Sequence, residues 1–283
     1  MPSPSIAWHT HLEVWALVAG LAGGYLYAIR RWGPRYVSPG EPPASRGQVV
    51  AFLLGVVTIL VAADWPVHEL AEERLFSVHM AQHFLISLVA PPLLLLGTPG
   101  WLLRRLLAPR WLLATVRWLS RPLVALLLFN GYIAVSHAPF MVQLQVSSEP
   151  LHFLLHCTLF GTAMLMWMPV LSPIAEIPRL SYPGRMLYLF LQSIVPTVPA
   201  SFLTFAGDPL YPFYAKAAPM IGVDPVVDQR IAGLTMKLLG GFLLWSVIAI
   251  QFFKWHAQEE ATGTAETWDE VERELNRAEL HQR

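Results

Sequence analysis

Two pairs of histidines stand four residues apart in otherwise apolar stretches: His79 and His83 in "HMAQHFLISLVAPPLLLLG", and His152 and His156 in "LHFLLH". At that spacing both rings of a pair lie on one helix face, about 6 Å apart along the axis. Neutral imidazole is the commonest side-chain metal ligand, so each pair can share one ion or flank two. His137, in "SHAP", adds a fifth ring. Five nitrogens exceed one four-coordinate centre, which makes room for a second ion. Asp64 and Asp228 offer carboxylates that could ligate the metal or orient an imidazole. Met80, Met141, Met164, Met166, Met168 and Met236 bring thioethers, which suit Cu(I), although methionine is also an ordinary core filler.

Other chemistries find less support. "HMAQH" lacks the glutamate of the H-E-x-x-H metalloprotease motif. Lys237 sits where a seven-span protein could carry a retinal Schiff base, but the third span has no Arg or Asp suited to a counter-ion role. Lys237 is read instead as pairing inside the bundle or lining a polar cavity. There is no Gly-rich phosphate loop and no basic block for nucleic acid. Cys157 is the single cysteine, which rules out an internal disulfide and a CxxC site. It lies about 100° around the helix from His156 and is read as a packing residue. His9, His11, His256 and His281 are read as hydrogen-bonded interface residues, and His68 is left open. No catalytic constellation is identified, and no enzymatic activity is expected.

The elements that must position these groups are membrane helices. Charged residues make up 13% of the chain and hydrophobic ones 55%, where a soluble domain carries about 25% charged residues. Several apolar segments reach the roughly 18–20 residues needed to cross about 30 Å of hydrocarbon. The expected fold is all-α and polytopic, with seven transmembrane helices at roughly 12–30, 47–66, 75–97, 122–138, 150–171, 185–206 and 230–254. Pro91 and Pro92 predict a kink or break in the third span, and Pro196 and Pro199 mark the sixth. "GWLLRRLLAPRWLLATVRWLSR" alternates tryptophan with arginine, the pattern of a segment lying in the headgroup plane at about residues 100–120. The N-terminal "MPSPSIAWHTHLEVW" is read as a retained extramembrane start. Residues 1–256 thus form one membrane domain. Residues 257–283 form a charged cytoplasmic tail, with Trp268, Val271 and Leu275 as one stripe of a short helix.

Loop arginines set the orientation. Arg30, Arg31, Arg35, Arg46, Arg104, Arg105, Arg110, Arg117, Arg121, Arg179 and Arg185 fall on one side; Arg74, Lys216 and Arg230 fall on the other. The N-terminus is therefore expected outside and the C-terminus in the cytoplasm. Each polar residue then has a depth. His79 and His83 begin the third span, His137 ends the fourth and His152 and His156 open the fifth. Asp64 ends the second, and Asp228 with Gln229 precedes the seventh. All lie within about two helical turns of the outer surface.

"HMAQHFLISLVAPPLLLLGTP" (79–99), "SHAP" (136–139), "LHFLLH" (151–156), "GTAMLMWMPVL" (161–171), "LYPFY" (210–214) and "DQRIAG" (228–233), in that order, are similar to the multi-spanning CtaG family of cytochrome oxidase assembly factors. The resemblance extends from about residue 47 to 254 and departs in "SHAPFM" and at Lys237. It implies a role in maturing a haem–copper oxidase of the caa type by handling copper, one or two ions, in a bacterial plasma membrane. The partners it implies are the bilayer and the oxidase subunits, with an extracytoplasmic copper donor and a homodimer left open. Three alternatives stand beside it. Paired histidines can clamp a haem, as in a haem- or quinone-linked oxidoreductase. The histidines can be polar glue in a structural scaffold. A copper transporter is the third.

Overall fold

The computed structural model describes residues 11–281. The N-terminal start and His9 lie outside the described residues, as do the side chains of Trp268, Leu275 and His281. Among the described residues every regular element is helical. Six helices are long and apolar enough to cross a membrane: Leu12–Arg35, Arg46–Ala63, Phe76–Gly97, Glu149–Leu171, Tyr182–Phe205 and Pro225–Ala261. A seventh span is present if Arg110–Leu119 and Pro122–Ser136 count as one bent pair. We number the spans in chain order, with Pro122–Ser136 as the fourth. Phe202, Phe205 and Phe242 are at least 70% exposed; hydrocarbon, not water, accepts such surfaces.

The fourth span has 15 helical residues, a rise of only about 22 Å. The Arg110–Leu119 helix leaves it at 74° and buries no residue. Trp111 and Trp118 are exposed on it.

Proline shapes the third and sixth spans differently. The third does not break at Pro91 and Pro92, as the sequence predicts. It widens into a π turn at Leu85–Val89, just before them. Pro91 has no N–H for the Ser87 carbonyl, and the Trp167 indole N–H donates to that oxygen instead at 3.2 Å. The lost bond is replaced from the fifth span, so the helix continues. The sixth does break, between Ile194 and Thr197.

Glycine lets the second and third spans touch backbone to backbone. A Cβ on Gly97 would come within 2.6 Å of Phe52 Cα, and one on Gly55 within 2.8 Å of Leu94 Cγ. Tyr25 from the first span donates to the Gly97 carbonyl at 2.7 Å. Such small-residue contacts drive helix association in bilayers. Gly97→Ala is expected to force these spans apart and to lower the thermal midpoint in detergent by several degrees. Gly131→Ala, with nothing within 4 Å, is the control expected to leave it unchanged.

The seventh span starts earlier than the sequence suggests. Asp224 accepts from the Val226 and Val227 N–H groups, both at 2.9 Å, and caps a helix beginning at Pro225. Asp228 and Gln229 therefore sit inside its first turns. A second π turn, Thr235–Leu239, carries Lys237. The helix from Gly240 then runs without interruption to His281, so the charged tail continues the span where the sequence suggests a separate short helix.

Candidate metal centre

Every histidine of the two pairs projects from the first turns of its helix, at the same end of the bundle. The rings make one contiguous cluster. Centroids lie 4.3 Å apart for His79 and His83 and 4.4 Å for His152 and His156. Across the two spans they are 5.1 Å apart for His83 and His156 and 5.5 Å for His79 and His152. Two donor groups emerge. One ring nitrogen from each of His79, His83 and His156 lies within 4.8 Å of the others, and so do ligand atoms of Glu72, His152 and His156. His156 belongs to both.

The hydrogen bonding leaves lone pairs over. His156 Nε2 is 3.2 Å from His83 Nε2 and 3.1 Å from His152 Nε2. One proton can be shared among the three; a second has no place. His152 Nδ1 lies 3.4 Å from Glu72. That is an ion-pair distance, and it places a carboxylate beside the ring, the kind of neighbour that orients a ligating imidazole. His79 is 1% exposed, and among the described residues neither of its ring nitrogens has a hydrogen-bond partner. Buried polar atoms are rarely left so, and each orphan costs about 1–3 kcal/mol. A cation held among these nitrogens removes that cost, and the donor set therefore fits a metal.

Neighbouring groups hold the rings in place. The Asp228 carboxylate accepts from the Phe76 N–H at 2.7 Å, the Ser77 N–H at 3.1 Å and the Ser77 hydroxyl. It thereby satisfies orphan donors at the N-terminus of the third span, where a negative charge also complements the helix dipole. Gln82 donates to the Ala62 carbonyl at 2.9 Å and fixes the rotation of the same helix. Phe76 and Tyr214 lie against His79, each ring centre 6.2 Å away, and Tyr211 packs on Phe76 to complete an aromatic cap. Tyr214 donates to the Ala71 carbonyl at 3.0 Å.

The two carboxylates named from sequence therefore stand apart from the rings. Asp228 is spent on the helix N-terminus. Asp64 ends the second span as its C-cap residue, and among the described residues it joins neither donor group. His137 is near but separate: its ring centre is 5.7 Å from that of His83, and its Nε2 faces Met80 Sδ at 3.3 Å.

Glu72 is the carboxylate that sequence reasoning missed. It lies on the short Val67–Glu73 helix between the second and third spans. His68 Nδ1 reaches it at 3.1 Å, and this His68–Glu72 spacing of four was the available signal. Burial pushes the Glu72 carboxyl up to about 7 and holds His68 below its ordinary value. His11 continues the line outward, 3.2 Å from Glu69 and 3.0 Å from Glu13. Burial opposes its protonation, but hydrogen bonds to Glu13 and Glu69 outweigh that and raise its pKa. His256, at the far end, bonds Glu260 at 3.3 Å.

A haem does not fit between the pairs. Axial nitrogens flank an iron at twice a metal–nitrogen bond of about 2 Å, with a porphyrin plane between them. His83 and His156 already touch at 3.2 Å.

Residues 23–258 match the family model described as cytochrome c oxidase caa3 assembly factor, Caa3_CtaG. The chain belongs to this family. No curated protein and no solved structure matches it. The resemblance seen in the sequence motifs is thus confirmed. As a Caa3_CtaG assembly factor the chain works with cytochrome c oxidase at a membrane. Both donor groups lie inside the matched region, whereas His11 and the end of the tail lie outside it. If these groups hold a metal, Glu72→Gln is expected to weaken retention about 10- to 100-fold, the usual effect of losing a carboxylate behind a ligating histidine. Competition with a calibrated chelator measures it.

Proposed function

We propose that this Caa3_CtaG member binds copper in the imidazole cluster and passes it to a haem–copper oxidase during assembly. The observation that carries the reading is the convergence of His79, His83 and His156 nitrogens within 4.8 Å, with both nitrogens of His79 buried and unpartnered. Copper is the cargo here, and the chain's residues only hold and release it. His79, His83 and His156 supply neutral nitrogen ligands. His152, with Glu72 beside it, supplies a fourth. Imidazoles bind copper well, yet they exchange ligands more readily than a closed cage of thiolates. Cys157, the only thiol, is exposed and takes no part. Glu72 and His11 are partly exposed at the rim, which gives an ion a way in.

The arginine distribution supports placing this rim on the outer side of a bacterial plasma membrane, with the tail in the cytoplasm. Copper could then be received from an extracytoplasmic donor.

Elemental analysis of purified protein tests the reading. Wild type is expected to hold copper, and His79→Ala/His83→Ala to lose most of it. Equal copper in both leaves the histidines as polar glue in a structural scaffold and removes the claim.

A further inference from the structure

We infer a second, sulfur-bearing metal site beside the imidazole cluster, built on His137 and Met80 and selective for a soft monovalent cation such as Cu(I). It rests on the copper reading above and concerns residues outside the two imidazole groups. His137 Nδ1 is 2.8 Å from the Ile133 carbonyl oxygen, which can only accept, and 3.1 Å from the Ser136 hydroxyl, which itself donates to that carbonyl at 3.2 Å. A neutral ring must therefore carry its hydrogen on Nδ1 and leave a bare lone pair on Nε2. That lone pair points at Met80 Sδ, 3.3 Å away, and a thioether sulfur is likewise an acceptor only. Two acceptors thus face each other with no proton between them. His137 is 7% exposed and Met80 2%, so bulk water does not relieve the contact. A cation bound to both atoms does.

The donor types choose the ion. Nitrogen with thioether sulfur suits Cu(I), whereas an oxygen-seeking divalent ion gains nothing from the sulfur. There is room for one. A cavity of about 70 Å³ adjoins the pair, and Met166, Met236 and His83 also line it. His83 links the two sites. Its Nε2 belongs to the contact with His156, and its Nδ1 is buried without a partner. The Tyr211 hydroxyl donates to the His137 carbonyl at 2.8 Å and holds that residue at the end of its helix. The second site gives an ion a sequence of ligands, from oxygen and nitrogen at Glu72 to nitrogen and sulfur at Met80, with no change of oxidation state along it. Lys237 lines the far side of the same cavity.

The test uses full-length protein in detergent, loaded anaerobically with Cu(I) and, in parallel, with Ag(I). X-ray absorption is expected to show both nitrogen and sulfur around copper in wild type. Met80→Leu, a swap of similar volume that cores tolerate, is expected to lose the sulfur and one Ag(I) per chain while keeping nitrogen-bound copper. His137→Phe is expected to lose the same Ag(I). The thermal midpoint of the metal-free protein checks that each variant is folded. Copper bound by nitrogen alone in wild type overturns the sulfur-bearing site and leaves the imidazole one standing. Sulfur scattering that survives in Met80→Leu also overturns it. Loss of copper's nitrogen ligands in His79→Ala/His83→Ala, with the Met80-dependent Ag(I) retained, supports two separable sites. Absence of any Cu(I) or Ag(I) from wild type overturns both proposals.

Discussion

If the cluster holds copper as proposed, His156→Ala is expected to reduce copper retention more than any other single substitution in it. Its Nε2 touches both His83 and His152, and it belongs to both donor groups. Removing it leaves His79 and His83 as a two-nitrogen pair and cuts His152 and Glu72 off from them. A tetrahedral or trigonal site that falls to two ligands loses its chelate, and affinity is expected to fall on the order of a hundredfold or more. His79→Ala should do less, because His83, His156 and His152 still converge. The check is copper per chain after dialysis against a graded chelator, for wild type and both variants in parallel. If His156→Ala and His79→Ala retain copper equally, the two groups do not share a ligand in solution. His156 lies inside an apolar helix and its loss leaves no charge uncompensated, so the variant is expected to fold.

The second large effect is on stability. Asp228→Ala is expected to destabilise the protein by several kcal/mol, because each buried donor left without its acceptor costs about 1–3 kcal/mol. Asp228 is 2% exposed, and its carboxylate takes two backbone N–H groups and one hydroxyl at the start of the third span. Alanine leaves all three orphaned, removes the negative charge at a helix N-terminus and unties the seventh span from the third. On the scale of soluble domains of this size, the thermal midpoint would fall on the order of 10 °C. Asp228→Asn keeps an acceptor oxygen and should recover part of the loss. Because the same helix carries His79 and His83, copper retention should fall in step with stability in both variants. An Asp228→Ala protein with normal stability and lost copper would instead make this residue a ligand.

The residues show how far a sequence reaches. The five histidines were legible because each sits near the end of an apolar run, and the bilayer turns position along a run into depth. The i, i+4 spacing within each pair put both rings on one face whatever the rest of the chain does. Asp228 was legible as important for the same reason, but its partner was not. It could have faced the rings, and it faces the backbone of the third span. Glu72 was overlooked because "VHELAEERL" is too polar to read as a span and too short to show which face it buries. The π turn at Leu85–Val89 was hidden as well, since Pro91 predicts a lost hydrogen bond but not that Trp167, eighty residues away, will take its place.

Composition and hydropathy alone determined that this is an all-helical membrane protein with five of its histidines, His79, His83, His137, His152 and His156, gathered toward one end. Those are properties each residue has against its own solvent, and they survive without knowledge of any neighbour. Only the tertiary structure decided that His156 stands between His83 and His152, that Glu72 backs His152, that Asp228 anchors a helix and that His137 meets sulfur. These depend on how each helix is rotated about its axis. Rotation is set by backbone contact at Gly97, by Gln82 against the second span and by the aromatic cap of Phe76, Tyr211 and Tyr214, contacts between residues far apart in the chain.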